Sequence, residues 1–118
     1  MEVNRQDQSL IVQDDPKEFA VLYDAEADWD LARLFVRIAE TISVEDAELY
    51  VRAIKEQIAS LSLFPRRGEI KEHGPPEVRM IASFDSRYQI VFAIDEGKRE
   101  VLVLTIWGGG TTPRALKS

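Results

Sequence analysis

Four arginines in the second half of the chain, Arg66, Arg67, Arg79 and Arg87, are the side chains whose type and spacing most invite a chemical reading. A guanidinium presents a rigid fork of donors that matches planar anions, so clustered arginines read carboxylate or phosphate. Arg66 and Arg67 lie in LFPRRG (residues 63–68), Arg79 in EVRMIASF (77–84) opposite Val78 and Met80, and Arg87 at the start of RYQIVFAI (87–94). Pairing of the last two segments around Asp85-Ser86 brings these side chains toward one sheet face or rim. The competing reading pairs them with neighbouring acids as ordinary surface ion pairs.

Other constellations read as structure. DAEADWD (24–30) imitates a calcium loop, but the sixth and twelfth positions hold Trp29 and Phe35 where Gly and Glu are needed. GGG (108–110) lacks the Lys-Ser/Thr and following helix of a phosphate loop. His73 is the only histidine, so it builds no His-rich metal site, and no carboxylate pattern marks it as a triad member. Ser43, Ser83 and Ser86 lack a nucleophile elbow. The expectation is no metal, no cofactor and no catalytic residue.

Composition narrows the classes further. The 118 residues suit one domain, and zero cysteines exclude a disulfide framework, a thiolate zinc site and a cysteine nucleophile. No apolar run approaches the ~20 residues of a membrane span. The opening MEVNRQDQSLIVQDD is polar and acidic, unlike a secretory signal, so a cytoplasmic location without membrane contact is expected. Residues 1–62 carry 14 acids against 6 bases, whereas the remainder is mildly basic. The overall charge of −6 argues against broad nucleic-acid binding, which needs clustered cations.

The elements that must position these residues follow from hydrophobic periodicity. Residues 1–17 form a polar arm, 18–109 a single domain, and 110–118 a flexible tail. EFAVLY (18–23) reads as a strand. Asp24 caps a helix whose apolar stripe is Leu31, Leu34, Phe35, Ile38 and Ile42, extended by Trp29 and Ala39. Ser43 starts a second helix, with Asp46 three residues on and a stripe of Ala47, Tyr50, Val51, Ile54, Ile58 and Leu61. The minimal connection forces an antiparallel hairpin. Pro65 ends the second helix and EIKEHGPP (69–76) reads as loop. Residues 77–84, 87–94 and 99–107 then form an antiparallel meander. The expected fold is α+β, ordered β-α-α-β-β-β. The helical hairpin packs on a three- to four-stranded antiparallel sheet, with the first strand at its edge.

This order, together with DAEADWDLARLFVRIAE, the "L…FPRRG" helix exit, the Arg in EVRMI and the RYQIVF strand, resembles the ParE/RelE toxin superfamily, the ParE branch more closely. The resemblance spans Phe19 to about residue 109. It implies a small α+β toxin neutralised by a cognate antitoxin that wraps it; a homodimer or a hetero-oligomer with the antitoxin is the expected assembly. For the ParE branch it implies inhibition of DNA gyrase, in the manner of plasmid stabilisation toxins. For the RelE branch it implies ribosome-dependent cleavage of messenger RNA. Arg79 matches the family's strand arginine and Tyr88 its following aromatic. Gln89 and Phe92 stand where Arg and Tyr are frequent. Trp107-Gly108-Gly109-Gly110 replaces the His-Gly-Arg-Arg of many relatives, and no Tyr or His follows Tyr88. RNA cleavage by acid–base chemistry is therefore the weaker expectation. A degenerate, non-toxic binding module is the third reading. Arg66, Arg67, Arg79, Arg87 and Trp107 are the expected target or partner contacts.

Overall fold

A computed structural model describes residues 18–84 and 86–108. The expected N-terminal arm, the C-terminal tail and Asp85 lie outside the described residues. The elements run β1 (Ala20–Tyr23), α1 (Ala25–Thr41), α2 (Val44–Ala59), a 3-10 turn (Ser60–Ser62), β2 (Glu69–Glu72), β3 (Glu77–Ser83), β4 (Tyr88–Asp95) and β5 (Glu100–Gly108).

Both helices start where their caps place them. The Asp24 carboxylate accepts from the Glu26 N–H at 3.1 Å, and the Ser43 hydroxyl accepts from the Asp46 N–H at 3.0 Å. Each satisfies an orphan donor of a first turn, and Glu26, Asp28, Glu45 and Asp46 add negative charge at the positive helix ends. Helix α1 buries Ala27, Leu31, Leu34 and Ile38, while α2 buries Ala47, Ile54 and Ile58. These rows close over one sheet face made of Ile81, Tyr88, Ile90, Phe92, Ile94, Val101, Val103 and Ile106. Two expected stripe members fall outside the core: Ile42 becomes the α1 C-cap and is exposed, and Trp29 is 63% exposed. Trp29 precedes Leu31 by two positions, about 200° around the helix, so it cannot share Leu31's face.

The sheet departs from expectation in strand number and direction. It has five strands in the order β1-β5-β4-β3-β2. Residues 69–72, read as loop, form the edge strand β2, antiparallel to β3 with Glu69 opposite Met80 and Ile70 opposite Arg79. All four of its residues are exposed, so backbone pairing rather than burial holds it. Gly68 leads into it at φ +80°, and a Cβ there would lie 2.2 Å from the Met80 carbonyl oxygen. Strand β1 is an edge strand as expected, but it pairs parallel to β5, making the sheet mixed. Parallel pairing needs a long crossover, and the helical hairpin is part of that connection.

Candidate functional site

Strand β5 is longer than its parallel neighbour, and that difference builds a cleft. The β1 ladder ends at Tyr23 opposite Val103, so the rest of β5 has no strand on that edge among the described residues. Helix α1 supplies the missing partners. The Val103 carbonyl accepts from the Asp24 N–H at 2.9 Å. The Asp30 carboxylate accepts from the Ile106 N–H at 2.9 Å and the Thr105 hydroxyl at 2.7 Å. Arg37 donates to the Gly108 carbonyl at 3.4 Å. A bulge sets this register: Val91 faces Thr105 and Phe92 faces Val103, leaving Leu104 as the extra residue.

Beside this seam is a cleft of about 350 Å³ lined by Asp30, Arg33, Arg37, Tyr88, Thr105 and Trp107, among others. The Asp30 side chain is 9% exposed and pairs with Arg33, which also reaches Glu26 at 3.5 Å. Tyr88 belongs to an aromatic cluster with Tyr50 and Phe84, the Tyr50 and Phe84 centroids lying 4.7 Å apart edge-to-face. The Trp107 Nε1 is buried without a hydrogen-bond partner among the described residues. Gly108 has no room for a side chain, because a Cβ would come within 2.3 Å of the Arg87 carbonyl oxygen. Among the described residues, neither histidine nor lysine lines the cleft.

The structure divides the five sequence candidates between two ends of the sheet. At one end Arg66 and Arg79 share Glu77, at 4.0 and 3.2 Å, and Arg66 also pairs with Glu96. Arg79 donates to the Gly68 carbonyl at 3.4 Å, yet its buried Nε lacks a partner among the described residues. Arg67 turns to the Ser60 hydroxyl at the end of α2. At the other end Arg87 is exposed in the turn between β3 and β4. It lies just before Tyr88, which faces Gly108 next to Trp107. Among the described residues its side chain makes no ion pair. Thus Arg66 and Arg79 come together through Glu77, Arg87 and Trp107 lie on neighbouring strand ends at the other end of the sheet, and the five do not form one cluster.

Sequence reasoning missed Asp30, Arg33 and Arg37. Their spacing along one flank of α1 was the available signal, but only the bulged register of β5 shows what they face. His73 lines a different pocket with Glu77, Asp95 and Glu96, on the Arg66 side of the sheet. Among the described residues no cluster of histidine and carboxylate side chains is arranged to hold a metal ion, and no helix is long and apolar enough to cross a membrane.

The architecture has solved counterparts. A chromosomal ParDE toxin–antitoxin system from P. aeruginosa contains a chain 19% identical, with a TM-score of 0.66, over 78% of this chain and 97% of that one. The isolated E. coli RelE toxin is 18% identical, with a TM-score of 0.54, over 82% and 89%. The intact E. coli RelBE complex gives 18% and 0.54 over 79% and 99%. At these identities the likeness is one of fold. No curated protein matches significantly. The family model described as the ParE toxin of the type II toxin–antitoxin system parDE matches residues 21–113. The chain therefore belongs to the ParE toxin family, within the ParE/RelE toxin fold.

Proposed function

We propose that this toxin inhibits DNA gyrase by binding rather than by cleaving a substrate, and that a cognate antitoxin neutralises it in the cytoplasm as part of a plasmid-stabilisation module. The observation that carries this reading is the composition of the β5 cleft. Arg33, Arg37 and Trp107 line it beside Glu26, Asp30 and Tyr88, without a histidine or lysine among the described lining residues. Arg33 is held by Asp30 and Glu26, so Arg37 and the indole are the groups that suit recognition of an anionic or aromatic surface. With no histidine in the described lining, and with Asp30 engaged by the Thr105 hydroxyl and the Ile106 N–H, the cleft is poorly equipped to move protons in phosphodiester cleavage. Trp107 in the cleft and Arg87, exposed in the turn before Tyr88 and outside the cleft lining, are the principal target contacts in this reading. Arg66, Arg67 and Arg79 are secondary contacts, since each already holds an intramolecular partner.

The antitoxin docks along the hairpin, where Phe35 of α1 meets Val51, Arg52, Lys55 and Ala59 of α2. The floor there is apolar and its rim mixes Arg52 and Lys55 with Glu48 and Glu56, which suits an amphipathic segment carrying side chains of both charges. The structures of the RelBE complexes and the ParDE system support a protein partner for the fold.

The test compares two purified systems. The chain should block supercoiling by DNA gyrase and leave message on ribosomes intact, with Arg87→Ala and Trp107→Ala weakening the block. Cut message with unaffected gyrase would overturn the proposal in favour of a ribosome-dependent RNase. Inertness in both assays would overturn it in favour of a non-toxic binding module.

A further inference from the structure

The solvent side of α1 carries an apolar row that no described residue covers. Trp29, Ala32 and Val36 stand three and four positions apart, so they line one face. Trp29 is 63% exposed and Val36 is 52% exposed. With Arg33, Arg37 and Glu40 they border a shallow groove of about 480 Å³. A largely exposed tryptophan in such a row is the kind of apolar patch that marks an interaction surface.

The charges beside the row indicate what covers it. Along one flank run Glu26, Asp30, Arg33 and Arg37, spaced four, three and four. The first half of that flank is acidic and the second half basic. A parallel copy would set like charges together, whereas an antiparallel copy sets acid against base. Placing Trp29 against Val36 of a second copy brings Arg37 to the level of that copy's Asp28. A two-fold axis keeps equivalent flanks together, so the acid within reach on the facing flank is Glu26, two residues away. The same alignment sets Glu40 against the start of the second α1, where the helix dipole favours negative charge. Arg33 lies near the axis, and its charge is already matched by Asp30 and Glu26 of its own chain. Arg37 has no ion pair among the described residues, only a 3.4 Å contact with the Gly108 carbonyl.

We propose that this face of α1 is a homodimer interface, in which two copies of the chain pair their α1 helices antiparallel about a two-fold axis. The occupant is a second copy because the charge order along the flank complements itself when the helices run antiparallel. Helix α1 has 17 residues and is therefore about 25 Å long. One helix pair of that length falls below the ~1,200 Å² of standard interfaces, so the dimer belongs with weak, transient associations.

The test is sedimentation equilibrium of the full chain from about 1 to 500 µM at ~0.15 M salt, where the net −6 charge of each copy is largely screened. The wild type should dimerise reversibly. Trp29→Asp, at an exposed position and checked for native circular dichroism, should weaken association at least about tenfold. Glu26→Arg and Arg37→Glu should each weaken it by about tenfold, because each sets like charges together twice per dimer. The combined Glu26→Arg/Arg37→Glu variant should recover to within about threefold of wild type. A chain monomeric throughout, or a dimer indifferent to Trp29→Asp, would overturn the proposal. So would a double variant no better than the singles.

Discussion

Replacing Asp30 with alanine tests whether this one carboxylate fastens α1 to the end of β5. Asp30 accepts from the Ile106 N–H and the Thr105 hydroxyl at 2.9 and 2.7 Å, with its side chain 9% exposed. Hydrogen bonds to a charged acceptor contribute about 1.5–3 kcal/mol each. A buried N–H left without a partner costs about 1–3 kcal/mol. Removing the carboxylate also removes its own desolvation cost, which offsets part of the loss. The Arg33 pair adds little, because that arginine is 60% exposed. The net expectation for Asp30→Ala is about 3 kcal/mol of destabilisation, or roughly a 12 °C fall in Tm for a domain of this size. Thr105→Val removes one of the two bonds and should cost about 1.5 kcal/mol. The two sites share a contact, so the double variant should be less destabilised than the sum of the singles. Urea unfolding followed by circular dichroism gives all three values. If Asp30→Ala costs less than ~1 kcal/mol, or the two changes simply add, the carboxylate is not the fastener described.

Three further perturbations probe other levels of the structure. Phe92 is fully buried between the helices and the sheet, so Phe92→Ala should cost about 3–5 kcal/mol by urea unfolding, and a loss under ~1 kcal/mol would place it outside the core. Gly108→Ala forces a Cβ to within 2.3 Å of the Arg87 carbonyl oxygen and 2.5 Å of Tyr88 Cδ1, for an expected loss of about 2 kcal/mol; an unchanged Tm would refute the close strand approach. Tyr23 has its pKa raised above 10.0, first by burial and then by the Asp28 carboxylate. The phenol stays protonated in the fold at pH values where the unfolded chain has lost its proton, so Tyr23 favours the native state below about pH 10, and that contribution fades as pH rises through the raised value. Asp28→Asn should lower the phenolate titration midpoint, read by ultraviolet absorbance, and Tyr23→Phe should flatten the alkaline loss of stability; a midpoint unmoved by Asp28→Asn would contradict the electrostatic part.

Much of the fold was readable because helical amphipathicity and capping are local. Asp24 and Ser43 cap where their side-chain chemistry predicts, and the period through Leu31, Leu34 and Ile38 names the buried face of α1 directly. Trp29 was less legible because α1 carries a second, shorter apolar row of Trp29, Ala32 and Val36 on its other side, and an apolar residue beside the main stripe reads as part of it. Strand β2 was hidden because Glu-Ile-Lys-Glu lacks alternation, and its strand character comes from the ladder to β3. The parallel direction of β1 is a long-range property set after the helices fold back. The candidate site was half visible. The arginines and Trp107 stood out by type, but their partners did not, since Glu77 gathers Arg66 and Arg79 only through tertiary structure. Asp30, Arg33 and Arg37 gained meaning from the bulge at Leu104, a single-residue shift that no periodicity announces.

Growth of a bacterial culture after tightly controlled induction of this chain alone tests the central claim most directly. Arg87→Ala is the paired variant, because Arg87 is exposed, and its loss should leave the fold intact. The account predicts arrest by the wild type and relief by Arg87→Ala at equal soluble levels. Normal growth despite abundant soluble wild-type protein would contradict it.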